Sequence, residues 1–189
     1  MELIRPLGDI PLISIKNFFI IEEENKQKLI PHLLKNKKEH DETVSGADTY
    51  SFLLEYDSYG ILKSLYEQFF SLCSHIFGPF TLSEDHTDRL CGLMTNNNYW
   101  AFNPHHHIRT STINGVYYLN IPKIEDEYCG RFMVQWNGSW HSYQPEPNEL
   151  IIMPNFLVHD ISHHDSSEWR ISINMEIMTN ETLKELVNN

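Results

Sequence analysis

The stretch Arg170-Ile-Ser-Ile-Asn-Met175 alternates strictly between polar and apolar side chains. Successive side chains of a β-strand point to opposite faces, so Arg170, Ser172 and Asn174 share one face. The opposite face is entirely apolar and predicts burial against a hydrophobic core. Because an unpaired guanidinium is very costly in a protein interior, the polar face is expected to meet a polar partner.

Several partners would satisfy Arg170. A bound carboxylate fits well, because arginine offers a planar fork of donors and the neighbouring Ser172 adds a hydroxyl. An internal Asp or Glu, or a solvated face, would satisfy the same arginine. The strand therefore predicts a polar cavity without identifying its content.

Period-two patterns surround this stretch throughout the second half of the chain. Five candidate strands are separated by loops rich in Pro, Gly, Asn and acidic residues: 97–102, 112–121, 131–136, 149–153 and 169–177. Short strands without interleaved helices are typical of antiparallel sandwiches and barrels. We therefore expect a mainly β fold with flanking helices, of the jelly-roll or cupin-like kind.

The first part of the chain is predicted to be a helix-rich buttress within a single domain, with residues 1–80 preceding a β core at 90–178 and a short terminal helix at 180–188. One helix is expected from the acidic run at 22–24 to the lysines at 35–38, with Pro31 kinking or dividing it. A second has an apolar stripe at three- and four-residue steps and ends at Gly78. Its stripe comprises Leu62, Leu65, Tyr66, Phe69, Cys73, Ile76 and Phe77.

The composition narrows the class of protein. The chain has 189 residues, 41% of them hydrophobic, and a formal net charge of −12. This content supports a core and argues against disorder, while the acidic balance argues against a general nucleic-acid binder. Three widely spaced cysteines fit no disulfide framework, and neither a signal peptide nor an apolar run of membrane length is evident. These features predict a cytoplasmic protein without a membrane partner.

Three histidines form the candidate metal site. His105 and His107 are two residues apart, so on an extended chain they point to one side while His106 points to the other. His159 follows about 50 residues later, after another predicted strand. A pair of this spacing with one distant histidine is typical of a jelly-roll metal site, and three ligands on one face leave coordination positions open, as in non-haem iron(II) oxygenases.

Together, these histidines, the run Gly115-Val-Tyr-Tyr-Leu-Asn120, Pro154 five residues before His159, and Arg170-Ile-Ser172 resemble the 2-oxoglutarate- and iron(II)-dependent oxygenases. The chain is most similar to bacterial and phage oxygenases of this family, which are themselves similar to prolyl hydroxylases. The resemblance covers residues 95–178.

The resemblance implies a double-stranded β-helix in which His105, His107 and His159 hold Fe(II). It implies that Arg170 binds the distal carboxylate of 2-oxoglutarate, assisted by the hydroxyl groups of Ser172 and Tyr118. Further residues assigned to the co-substrate pocket are Asn174 and the apolar Phe132. Prolyl hydroxylases have aspartate where this chain has His107, so which two of the three adjacent histidines bind stays open at this point.

The implied reaction consumes 2-oxoglutarate and O2 and hydroxylates a substrate C–H bond, releasing succinate and carbon dioxide. Prolyl hydroxylation of a peptide is the first substrate hypothesis, followed by another protein side chain or a small molecule. The negative charge of the chain favours a neutral or basic substrate over a nucleic acid.

Two other classes of protein compete with this interpretation. A cupin-type metal dioxygenase or isomerase has a glutamate ligand four or five positions after its histidine pair, where this chain has Ser111 and Thr112. Such a cupin also favours glycine at the position of Phe156. A non-catalytic jelly-roll module that binds a metal through the same histidines is the other alternative.

Overall fold

The computed structural model describes residues 2–36, 38–39, 48–51, 60–86, 89–96, 104–108, 111–123, 128–163 and 166–180. The two helices are α1 (Glu23–Asn36) and α2 (Ile61–Phe77). The strands are β1 (Glu2–Ile4), β2 (Ile13–Lys16), β3 (Lys38–Glu39), β4 (Asp48–Ser51), β5 (Arg89–Asn96), β6 (Ile113–Asn120), β7 (Phe132–Trp136), β8 (Ser139–Tyr143), β9 (Leu150–Pro154), β10 (His159–Ile161) and β11 (Arg170–Ile177).

The strands form two antiparallel sheets. The larger has eight strands in the order β1-β2-β9-β6-β11-β5-β4-β3, and the smaller has three in the order β10-β7-β8. One face of the larger sheet packs with the smaller sheet through a shared apolar cluster that includes Val116, Tyr118, Phe132 and Val134. The expected mainly β architecture is confirmed, and the space between the two sheets is where the polar face of β11 lies.

The other face of the larger sheet is covered by helices. There, the apolar stripe of α2 packs in one buried cluster with Leu29 of α1, Tyr117 of β6 and Ile173 of β11. Gly115 allows this close approach, because a Cβ atom at that position would lie 2.6 Å from Cε2 of Phe69. The molecule thus consists of three layers: helices, the eight-stranded sheet and the three-stranded sheet.

The helices follow the sequence expectations in most respects. The end of α2 is confirmed at Gly78, whose φ of 79° is readily adopted only by glycine. Pro31 does not divide α1, which is one helix from Glu23 to Asn36. The packing of Leu29 and Leu33 in the core stabilises α1 on either side of the hydrogen bond that proline removes.

The first part of the chain contains more β-structure than we expected. It contributes four short strands as well as the two helices: β2 pairs with β9, and β4 pairs with β5. Strands of two to four residues are too short to show a period of their own, so their partners define them. These four strands were not predicted.

The boundaries in the second half also differ from the prediction. Strand β5 lies immediately before the predicted strand 97–102, which falls outside the described residues, as does the predicted terminal helix. The two strands β8 and β10 were missed. Strands β7 and β8 form a hairpin around Asn137 and Gly138, both with positive φ, which is a strong hairpin signal in the sequence itself. In the described part of the chain, neither helix is long and apolar enough to cross a membrane.

Candidate metal centre and carboxylate pocket

Backbone pairing brings the distant histidines together. His159 begins β10, where it pairs with Val134 of β7. His105 lies in the segment alongside, and its N–H donates to the carbonyl of His159 at 3.1 Å while the N–H of His159 donates back at 3.0 Å. The N–H of His107 donates to the carbonyl of Asn155 at 2.9 Å, which fixes the second histidine of the pair beside the loop between β9 and β10.

The three imidazoles form a compact group. Each offers one nitrogen, and these three atoms lie within 4.8 Å of one another. Ring centroids are 4.4 Å apart for His105 and His159 and 5.2 Å apart for His107 and His159. His159 is buried, His107 is half-buried and His105 is exposed, so the group stands at the mouth of the space between the sheets. His106 is exposed and does not belong to it.

Hydrogen bonds fix the tautomers of two of the rings. Nδ1 of His159 is 2.9 Å from the carbonyl oxygen of Leu157, and Nδ1 of His107 is 2.9 Å from Oε1 of Glu176. Both partners are acceptors, so each Nδ1 carries the proton and each Nε2 presents a lone pair. This is the arrangement by which metal-binding histidines are oriented.

His159 is held in its neutral form. Burial lowers the pKa of His159 to about 3, and the neighbouring His105 contributes to this lowering. A histidine binds a metal ion only when the ligating nitrogen is deprotonated, so the ring is ready for a metal at neutral pH. The group accordingly has the donor set of a metal centre.

A second polar group lies at the other end of the polar face of β11. Arg170 is 1% exposed, and its Nε and Nη1 have no hydrogen-bond partner in the described part of the chain. Its guanidinium carbon lies 5.1 Å from the ring centroid of Tyr118, whose buried hydroxyl also lacks a hydrogen-bond partner there. Burial lowers the pKa of Arg170, and no carboxylate of the described residues offsets this; the tyrosine alone does so.

Of the three partners that could satisfy Arg170, the structure argues against two. The guanidinium is not solvated, because the residue is fully buried, and no described Asp or Glu pairs with it. Because no acid of the described residues fills this role, a carboxylate supplied from outside the chain fits the guanidinium. Such a ligand would receive charge-assisted hydrogen bonds from the guanidinium and a further one from the tyrosine hydroxyl.

The other predicted residues lie between these two ends. Ser172 is 1% exposed and is the register partner of Tyr118 on β6. Asn174 is half-buried on the same face of β11. The ring of Phe132 lies 5.8 Å from that of His159, and its side chain belongs to the apolar cluster between the sheets. Arg170, Ser172 and Asn174 thus share one face of β11. Tyr118 lies beside them on β6, and Phe132 lies beside the histidine group.

Glu176 is the residue that the sequence analysis missed. It continues the alternation of β11 beyond Asn174, so it falls on the same face as Arg170. The period-two pattern contained this signal, but the contact with His107 depends on a segment about 70 residues away in the sequence.

The chain matches no protein-family model and no curated protein sequence. Its structure, however, is similar to that of a Pseudomonas putida prolyl-4-hydroxylase, with a TM-score of 0.68, 12% sequence identity, and coverage of 93% of this chain and 96% of the other. It is also similar to a Trichoplax adhaerens prolyl hydroxylase that was solved in complex with a peptide fragment of the hypoxia inducible factor oxygen degradation domain. For this pair the TM-score is 0.63, the sequence identity is 13%, and the match covers 96% of this chain and 88% of the other. A third similar structure is an oxidoreductase of the 2OG-Fe(II) oxygenase family from Burkholderia pseudomallei, with a TM-score of 0.63, 12% sequence identity, and coverage of 93% of this chain and 91% of the other.

These similarities settle the fold. The chain has the double-stranded β-helix of the 2-oxoglutarate- and iron(II)-dependent oxygenases, as the sequence resemblance implied. At such low identity the likeness does not extend to the reaction, which has to be argued from the side chains of the cavity.

Proposed function

We propose that this protein is a 2-oxoglutarate- and Fe(II)-dependent dioxygenase that hydroxylates a C–H bond of its substrate. One observation carries the proposal: the polar face of β11 has a fully buried arginine at one end, with no acidic partner among the described residues, and contacts the open group of three histidines at its other end through Glu176. Either feature alone is compatible with several roles, whereas the two together match one metal ion and one dicarboxylate.

The histidine group fits the metal. His105, His107 and His159 would hold Fe(II) through neutral imidazole nitrogens, a donor that ferrous iron accepts well. Three protein ligands on one side leave the remaining coordination positions free for small molecules. The exposure of His105 puts these positions within reach of solvent and of a substrate.

The arginine end fits the co-substrate. Arg170 would bind the distal carboxylate of 2-oxoglutarate, with Tyr118 and Ser172 supplying hydroxyl groups and Asn174 a neighbouring amide. The buried guanidinium already bears the cost of desolvation, so a carboxylate that pairs with it relieves an existing penalty. A dicarboxylate held there by one carboxylate would keep its other carboxylate free for the metal.

When bound, the iron and 2-oxoglutarate supply the activation of O2, with decarboxylation of the co-substrate to succinate. The residues of the chain have two roles, to orient the co-substrate and to exclude water. Arg170 orients the co-substrate, and Phe132 and Val134 cover the cavity from the three-stranded sheet and exclude water. His159, kept neutral by burial, maintains its lone pair throughout the working pH range.

The substrate we favour is a peptide or protein side chain, with proline as the first candidate and a small molecule as the alternative. The fold similarity to a prolyl hydroxylase solved with a peptide supports this choice. The net charge of −12 favours a neutral or basic substrate. A screen of peptides for 2-oxoglutarate-dependent gain of one oxygen atom in mass tests it.

The decisive experiment examines the two ends of the cavity together. Anaerobic addition of 2-oxoglutarate to the Fe(II)-loaded protein is expected to produce the weak visible charge-transfer band of a chelated co-substrate. The Arg170→Ala variant should lose this band at the same concentration, while Arg5→Ala, which removes an exposed arginine, should keep it.

The alternatives predict other outcomes. A cupin-type enzyme or a non-catalytic module would bind the metal but give no band with 2-oxoglutarate in well-folded, metal-replete protein. A band that persists in Arg170→Ala would remove this arginine from the co-substrate site. Release of succinate in air by the wild-type protein completes the test.

A further inference from the structure

We propose that Glu176 is a positioning residue of the metal centre, fixing the tautomer of His107 and supplying the negative charge that the three imidazoles lack. The inference rests on the proposed metal site and goes beyond it, because it assigns a role to a carboxylate that ligates nothing. It also makes a specific statement about how tightly the site binds a divalent cation.

The geometry is that of a carboxylate–imidazole pair. Oε1 of Glu176 lies 2.9 Å from Nδ1 of His107, and the two side chains are 15% and 18% exposed. Nδ1 must donate, since an ionised carboxylate has no proton to give. The pair therefore leaves Nε2 of His107 as the only nitrogen of that ring with a lone pair for a metal.

Charge gives the pair its second role. Three neutral histidines offer a divalent cation no countercharge, so nothing in the ligand set offsets its two positive charges. Glu176 is one imidazole away from the proposed metal position and is largely shielded from water, and charge interactions are stronger in such a place than at an exposed site. A hydrogen-bonded carboxylate also raises the basicity of the ring that it contacts.

The neighbour across the sheet supports this placement. Asn114 of β6 is the register partner of Glu176 and is 3% exposed. Its Oδ1 accepts a hydrogen bond from Oγ of Ser111 at 2.5 Å, while its Nδ2 has no partner in the described part of the chain. The strand next to the carboxylate therefore offers an amide N–H.

Three substitutions separate orientation from charge. Glu176→Gln keeps an oxygen that accepts from Nδ1 but removes the charge. Glu176→Ala removes both, and Glu176→Asp keeps the charge on a shorter side chain. Loss of such an outer partner typically weakens metal binding 10- to 100-fold.

The test is a titration of the metal-free proteins with Co(II), followed by its visible d–d absorption and by calorimetry. We expect the dissociation constant to rise about 10-fold in Glu176→Gln and about 100-fold in Glu176→Ala, with partial recovery in Glu176→Asp. Glu168→Gln, which removes an exposed acid just before β11, should bind Co(II) like the wild type. Unchanged thermal midpoints of the metal-free variants would show that the fold is intact.

The outcomes distinguish this inference from the proposed function. Wild-type protein that binds Co(II) together with a Glu176→Gln variant of equal affinity and equal absorption would overturn the role of Glu176 alone. Wild-type protein that does not bind Co(II) would overturn both. Equal weakening by Glu168→Gln would reduce the effect to general surface charge and also overturn the assignment.

Discussion

The two faces of strand β11 differ in character: one is apolar and the other is polar. Toward the helices it presents Ile171, Ile173, Met175 and Ile177, all fully buried in the cluster shared with α2. Toward the smaller sheet it presents Arg170, Ser172, Asn174 and Glu176, four polar groups within the cavity. One face gains free energy from burial, whereas the other incurs a desolvation cost that a ligand can relieve. Neighbouring positions of one strand should therefore respond to substitution in opposite ways.

The largest effect is expected at the mouth of the cavity. His159→Ala removes the most buried ring of the histidine group, so binding of Fe(II) and turnover should be abolished. Loss of one of the three proposed ligands would leave too few donors to hold the ion, while the circular dichroism of the metal-free protein should stay close to that of the wild type. Metal content after dialysis and succinate release measure the effect.

The control for this variant is His106→Ala. His106 lies between two proposed ligands but is exposed and outside the group, so its removal should change activity far less than His105→Ala or His107→Ala. An essential His106 would mean that the side-chain register of this segment is shifted by one residue.

The second effect compares the two faces of β11 directly. Ile173→Ala should lower the free energy of unfolding by about 2–4 kcal/mol, because it leaves a cavity against α2. Arg170→Met, which keeps most of the side-chain volume, should cost little stability or none in the metal-free protein, since it removes a buried charge that has no acidic partner among the described residues. Urea unfolding of both variants measures this, and Co(II) binding by folded Ile173→Ala should match the wild type.

If Arg170→Met destabilised the metal-free protein as much as Ile173→Ala, the guanidinium would have a structural partner, and the contrast between the two faces would fail. The comparison therefore tests the central observation on Arg170 without any ligand present.

The sequence predicted the strands that line the cavity because each carries its own alternation. Strands β6, β7 and β11 lie within about one residue of their predicted positions. The short strands β1–β4 could not be predicted, since two to four residues have no measurable period and are defined by their partners. Strand β8 is polar and largely exposed, so it lacks the apolar half of the pattern.

The site was predictable in its residue types but not in its contacts. The spacing of His105 and His107 and the polar face of β11 are properties of short segments, and the sequence displays them. The absence of a described acid beside Arg170 and the contact of Glu176 with His107 depend on how distant segments pack. The described residues provide no acid for an internal ion pair with Arg170, and the sequence alone could not show this.

The smallest predicted effect concerns the protonation of His159 in the metal-free protein. Its pKa is about 3 in the folded state and has its ordinary value near 6.5 in the unfolded chain, so the unfolded chain binds more protons between these values. Stability therefore falls as the pH decreases from 6.5 toward 3. Between pH 6.5 and 5.5 the wild type should lose about 1 kcal/mol more unfolding free energy than His159→Asn, whose amide can still donate to the carbonyl of Leu157. Equal losses in urea titrations would mean that His159 gains a proton in the folded state as readily as in water, and that the buried end of the histidine group is open to solvent.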